Sequence, residues 1–148
     1  MVGQGGHGPL EVAGRHRRQD PAVLLGLVTG NMELLVAIKL RAAGYDPRDF
    51  KIGAFGSEGW TRPMLPPLAL DRARQFAGID FAPERVVIIG DTPGDIECAD
   101  SIGARTIAVA TGPFSVEQLA AHQPDHVFAD LANRDAVLSA IFANGRAR

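Results

Sequence analysis

Five short apolar runs, VLLGLVTG, KIGAFG, RVVIIGD, TIAVATG and HVFAD, alternate from Ala22 onward with amphipathic stretches of helical length. That order leaves few folds open. Alternating strands and helices build a parallel sheet covered by helices on both faces, with right-handed crossovers between strands. Helix starts follow from local chemistry: Asn31 or the Thr29-Gly30 turn for the first, and Pro66-Pro67 in the first turn of the second. Pro93 with Asp95 opens the third, a Ser115/Gln118 capping box the fourth, and Asn133 the last. With 148 residues and 46% hydrophobic content, the chain can bury one ordinary core. The expectation is a single α/β domain over 22–148 with about five strands. Residues 1–21 hold five glycines and the basic cluster Arg15, His16, Arg17, Arg18, without a periodic apolar pattern, and are expected to form a flexible leader.

Within this frame the run Val86 to Gly112 places Asp91 and Asp95 where a strand meets a helix. Val86 to Ile89 are apolar without alternation, the pattern of a strand covered on both faces, and Ile96, Ala99 and Ile102 recur at helical spacing. Both carboxylates therefore stand at the strand's carboxyl end, where open α/β sheets bind ligands. Asp91 can ligate a hard cation such as magnesium, and Asp95 can hold a metal-bound water or orient the loop.

Two further segments can serve the same crevice. In LVTGN, a strand ends in Thr29, Gly30 and Asn31, so a hydroxyl and free backbone N–H groups converge as an anion cradle, the alternative being a plain helix cap. Arg62, just ahead of the proline-started helix in TRPMLPPLAL, can bring a fixed positive charge whose planar fork suits phosphate, the alternative being a solvated surface group.

Other classes are disfavoured. The net charge of −2 offers no nucleic-acid footprint, although thirteen of the fifteen basic residues are arginine. The single cysteine, Cys98, falls on the apolar side of a predicted helix and reads as a small core residue in a reducing compartment. No apolar run approaches the roughly 18 residues of a membrane helix, and the amino terminus lacks the apolar core of a secretory signal, so a cytoplasmic protein is expected. GQGGHG has neither a preceding strand nor a following lysine to make a phosphate loop. His122 and His126 have helical metal spacing but are separated by Pro124, which argues against a zinc pair, and Trp60 beside Gly59 is placed to shield a loop near the cleft.

Taken in order and on these elements, Thr29, Arg62, Asp91 and Asp95 resemble the haloacid dehalogenase superfamily of phosphatases over residues 22 to about 142. The words LVTGN, GAFGS, RPMLPPLAL and GDTPGDIECA are similar to its phosphoglycolate phosphatase-like branch. The resemblance implies a Rossmann-like fold and a magnesium-dependent hydrolase of small phosphate esters, working through an aspartyl phosphate. It also implies that Thr29, Gly30, Asn31 and Arg62 bind phosphate, with Thr61 and Pro63 as alternative alignments to Arg62, and that Asp91 and Asp95 hold Mg2+. The partner would be a small phosphorylated metabolite.

One departure is decisive for the expected activity. The family's nucleophile is the first aspartate of an Asp-x-Asp motif ending an apolar first strand, and before Thr29 the only carboxylates here are Glu11 and Asp20. Asp20 sits in the charged segment RHRRQDP, and the cap region is missing as well. Metal and cradle stabilise charge around phosphorus but do not attack it, so this chain alone is expected to bind and not to turn over. The resemblance implies that the missing strand belongs at the centre of the family's sheet, between the Thr29 and Asp91 strands. Three outcomes are open: the two strands pair directly, a partner strand or homo-oligomer completes the sheet, or the chain is a truncated product. The alternative to a phosphatase fragment is a non-catalytic phosphate-binding or subunit-completing protein.

Overall fold

The computed structural model describes residues 23–58 and 61–143. The expected leader over 1–21 and the Gly59-Trp60 pair lie outside the described residues. The element order is β1 (Gly26–Thr29), α1 (Glu33–Ala42), β2 (Ile52–Phe55), α2 (Leu65–Ala77), β3 (Val87–Gly90), α3 (Pro93–Ser101), β4 (Arg105–Val109), α4 (Val116–Ala120), β5 (His126–Phe128) and α5 (Arg134–Phe142). This is the βα alternation expected from the apolar runs.

All strand pairing is parallel, and it is divided. β1 pairs with β2, Gly26 opposite Ile52 and Thr29 opposite Phe55. β4 lies between β3 and β5, with Val87 opposite Arg105 and Ile107 opposite His126. Among the described residues no pairing joins β1 to β3, so the five strands form sheets of two and three. Direct pairing of the Thr29 and Asp91 strands, one of the three open outcomes, does not occur.

Each sheet has its own apolar packing. Leu27, Val36, Leu40 and Phe55 form the core of the small sheet, where α1 covers β1 and β2. Ile107, Val109, Leu131, Val137 and Ala140 lie under α5 on one face of the large sheet. Ile96, Ala108 and Leu119 lie under α3 and α4 on the other. The alternation of Ile107, Ala108 and Val109 between these clusters is the period-two geometry of a strand covered on both faces. α2 joins the halves: it packs across β1 and β2 and also touches α3.

Capping chemistry set most helix boundaries as expected. Pro66 and Pro67 occupy the first turn of α2, where a missing N–H costs nothing, and Gly78 ends that helix in the left-handed region at φ +69°. Ser115 and Gln118 cap α4 reciprocally, and the Asn133 side chain accepts from Ala136 N at 3.2 Å. The first helix is a correction. Met32 takes the N-cap position without a side-chain cap, because the Asn31 side chain turns back onto Thr29. Ser57 Oγ instead accepts from Glu33 N at 3.4 Å.

Candidate anion and metal site

β1 ends at Thr29, and the chain turns sharply so that Thr29 Oγ1 accepts from Asn31 N at 3.2 Å and from Asn31 Nδ2 at 3.1 Å. The hydroxyl is thereby fixed at the mouth of a cavity of about 270 Å3. Thr29, Gly30, Asn31, Arg62 and Asp95 all line that cavity, as does Cys98. Its length is walled by the facing strands, Gly26 and Val28 on one side and Val87, Ile88 and Ile89 on the other.

Arg62 reaches the cavity from the short turn that leads into α2. Its Nη2 donates to Asp95 Oδ1 at 2.8 Å and to Thr92 Oγ1 at 3.2 Å. The Arg62 side chain remains 48% exposed, and only Nη2 of its five-donor fork makes these bonds. Burial lowers its proton affinity and Asp95 more than restores it, so the net shift is upward and the charge is permanent. Gly94 leaves the room this requires: a Cβ there would stand 3.3 Å from Arg62 Nε.

Asp95 is the hub of the loop. Its Oδ2 accepts from Asp91 N at 3.1 Å, Thr92 N at 3.0 Å and Thr92 Oγ1 at 2.8 Å, while Oδ1 takes Arg62. It is buried and occupies the third position of α3, so its charge also faces the positive end of the helix dipole. Of the two roles open to it from sequence, orienting the loop is the one this hydrogen bonding performs. Gly90 is required for the same reason, since a Cβ there would overlap the Asp95 carboxyl.

Asp91 is placed differently. It is not among the residues lining the cavity, and its carboxylate lies against Gly112 in the loop after β4, where a Cβ would collide with Oδ2. Its Oδ1 is buried without a hydrogen-bond partner. Burial first, and the neighbouring Asp95 charge second, raise the Asp91 carboxyl above its ordinary value, with Arg62 opposing. An orphaned carboxylate oxygen at a strand's carboxyl end fits a hard cation. Among the described residues, however, no group of three His, Cys, Asp or Glu side chains is assembled for a metal.

A stability prediction follows from the sign of that shift. The folded state binds the Asp91 proton more tightly than the unfolded chain does. Its ionised form therefore costs stability above the folded-state pKa, and the cost disappears as pH falls below the unfolded value. Asp91→Asn is expected to raise metal-free stability at neutral pH by about 1 kcal/mol, a few degrees in Tm, with the gain vanishing on acidification. Thermal unfolding of both proteins across pH checks this; an Asn variant less stable than the parent at neutral pH would refute it.

The remaining singled-out residues are structural. Cys98 is a buried free thiol whose Sγ lies 3.7 Å from Arg62 O, and burial pushes its pKa up. His126 stacks on Phe128 with ring centroids 6.3 Å apart. None of the described helices is long and apolar enough to cross a membrane. Sequence reasoning missed Glu58 and Arg72. Glu58 accepts from Phe55 N at 2.9 Å, and Arg72 donates to it and to Gly53 O, locking the loop after β2. A charged residue three positions after a strand end and another about two turns into the following helix were the available signal.

Comparison with known proteins agrees with this architecture. A family model described as HAD-hydrolase-like matches residues 65–134, from the start of α2 to the start of α5. A search of the curated proteins finds no match. Among solved structures, a candidate phosphatase from Clostridium difficile is 20% identical with a TM-score of 0.70, covering 88% of this chain and 58% of its own. A candidate phosphoglycolate phosphatase from Lactobacillus delbrueckii subsp. bulgaricus is 25% identical at a TM-score of 0.65, covering 92% and 54%. A predicted phosphoglycolate phosphatase from Haemophilus somnus is 21% identical at 0.68, covering 88% and 56%. The chain thus spans between half and three-fifths of the length of the structures it matches. The family-model match over residues 65–134 and the fold make this chain similar to haloacid dehalogenase-like phosphatases.

Proposed function

We propose that this chain carries the phosphate- and metal-binding half of a magnesium-dependent phosphatase site acting on small phosphate esters, and that it binds the phosphate group without hydrolysing the ester by itself. The supporting observation is that Thr29, Gly30 and Asn31 at the end of β1, Arg62 in the turn before α2 and Asp95 in the first turn of α3 line one cavity. A phosphate there would meet the Thr29 hydroxyl, backbone N–H groups of the turn and the uncommitted face of the Arg62 fork. Asp91 would hold the cation through its orphaned oxygen, and magnesium would supply charge neutralisation for the phosphate.

The binding-only part of the reading rests on the lining itself. Among the described residues the one carboxylate on the cavity wall is Asp95, and both of its oxygens are engaged. A carboxylate held by Arg62 and three further donors is a poor nucleophile, because attack would have to break all of those bonds. A free thiol at Cys98 and the absence of a membrane-length helix among the described ones are compatible with a cytoplasmic setting.

Calorimetric titration with inorganic phosphate, with and without magnesium, tests this. Arg62→Ala is expected to weaken phosphate binding by about 10- to 100-fold, the equivalent of one charge-assisted interaction of about 1.5–3 kcal/mol. Asp91→Asn should remove the tightening by magnesium while leaving metal-free binding in place. Hydrolysis of an aryl phosphate by the chain should stay at background. Equal phosphate affinity in Arg62→Ala, or robust magnesium-dependent turnover, would overturn the reading.

A further inference from the structure

Two residues just past β2 hold the anion turn in place. β1 and β2 end side by side, Thr29 opposite Phe55, and the chain leaves β2 through Gly56, Ser57 and Glu58. Gly56 N donates to Asn31 O at 3.2 Å, and Ser57 Oγ accepts from Glu33 N at 3.4 Å. The segment that follows Thr29 is thus held at both 31 and 33. Gly56 also lies so close to Gly30 that a Cβ there would overlap the Gly30 carbonyl. Whatever sets the path of residues 56 and 57 therefore sets the path of the turn.

Glu58 and Arg72 set that path. The Glu58 carboxylate turns back to accept from Phe55 N at 2.9 Å, closing a short ring of chain in which Gly56 and Ser57 are the intervening residues. From the middle of α2, Arg72 Nη1 donates to Glu58 Oε2 at 3.0 Å and to Gly53 O at 2.6 Å, while Nη2 donates to Glu58 Oε1. One forked guanidinium thereby ties both flanks of the loop, the strand before it and the residue that ends it, to one helix. An ordinary surface ion pair holds only its two side chains. Here each partner also takes a backbone group of β2, so breaking the pair frees the loop. Neither Glu58 nor Arg72 is on the cavity wall.

We propose that Glu58 and Arg72 are positioning residues for the anion turn: from outside the cavity, their ion pair fixes residues 56 and 57, and through them the hydroxyl and N–H groups of Thr29–Asn31 that receive phosphate. The inference rests on the phosphate reading for what the turn binds, while the geometry of the turn is measurable without phosphate. The pair acts as a unit, so losing either partner releases the same loop. That separates positioning from a plain charge effect. Removing Arg72 takes away a positive charge and removing Glu58 a negative one, so long-range attraction would move phosphate affinity in opposite directions. Loss of positioning weakens binding in both.

The test compares the full 148-residue chain with Arg72→Met, Glu58→Met and the double variant, titrated with inorganic phosphate and followed by amide hydrogen exchange in its absence. Each single variant is expected to weaken phosphate binding by about 3- to 10-fold, and the double variant no more than either single. Without phosphate, exchange of the Gly56 amide should quicken about tenfold or more in all three, and the Gly30 and Asn31 amide shifts should move, with the Ile107 amide of β4 unchanged. Arg72→Lys, which keeps the charge without the fork, should also bind more weakly than the parent. Arg74→Met, which removes exposed pairs with Asp71 and Asp80 along the same helix, should change neither readout. The proposal is overturned if the single variants shift affinity in opposite directions, or if their losses add in the double variant. It also fails if Gly56 exchange stays at the parent rate, or if Arg74→Met has the same effect. A parent chain that binds no phosphate would sink the phosphate reading alone, and the positioning role then stands or falls on the Gly56 exchange and the Gly30 and Asn31 shifts.

Discussion

Replacing Arg105 by Met is expected to lower the unfolding free energy by about 3–5 kcal/mol, a large part of the 5–15 kcal/mol typical of a domain. Arg105 begins β4 and is only 4% exposed. Its Nε donates to Glu84 O at 2.7 Å, Nη1 to Ala140 O at 2.9 Å and Nη2 to Ile141 O at 2.7 Å. Two of those acceptors are among the last carbonyls of α5, which no N–H of the same helix can satisfy. The guanidinium closes them and places a positive charge at the negative end of the helix dipole. Burial pulls its pKa down and the nearby Asp125 opposes that, but a guanidinium stays charged at every pH at which the fold exists. Met keeps the apolar stem and removes the donors, leaving three carbonyls without their partner. Urea unfolding followed by circular dichroism gives the difference from the midpoint at unchanged slope. A loss under about 1 kcal/mol would show that water replaces the guanidinium and that the α5 contact is dispensable.

Gly56→Ala is expected to cost about 1–3 kcal/mol and to distort the Thr29–Asn31 turn at the same time. The added Cβ would fall inside the van der Waals contact distance of the Gly30 carbonyl oxygen and carbon, so backbone meets backbone and no rotamer change relieves it. The loops after β1 and β2 touch directly there, with Gly56 N donating to Asn31 O at 3.2 Å. Phosphate affinity should therefore fall along with stability, although residue 56 is not on the cavity wall. Amide chemical shifts of Gly30 and Asn31, read beside the unfolding midpoint, check both parts. Unchanged shifts in a fully stable variant would mean that the two loops separate without cost.

The strand-helix order, the proline and capping-box helix starts, and the position of Asp91 and Asp95 at a strand end could be read from residue patterns, because each depends on neighbours a few positions away. Asn31 failed as a cap for a reason equally local but unforeseen: its amide had a nearer acceptor in Thr29 Oγ1. Glu58 and Arg72 were missed because their meeting requires β2 and α2 to pack.

By itself the sequence determined the α/β class, the candidate anion turn at Thr29 and the acidic loop, since periodicity and turn chemistry act within one stretch of chain. Only the tertiary structure decided that Asp95 spends its oxygens on the loop and Arg62, that Asp91 keeps an unpartnered one, and that Arg105 is buried to close α5. The division into two sheets belongs with these. Strand pairing and the burial of a charge are settled by what lies across the fold, and no run of neighbouring residues contains that information.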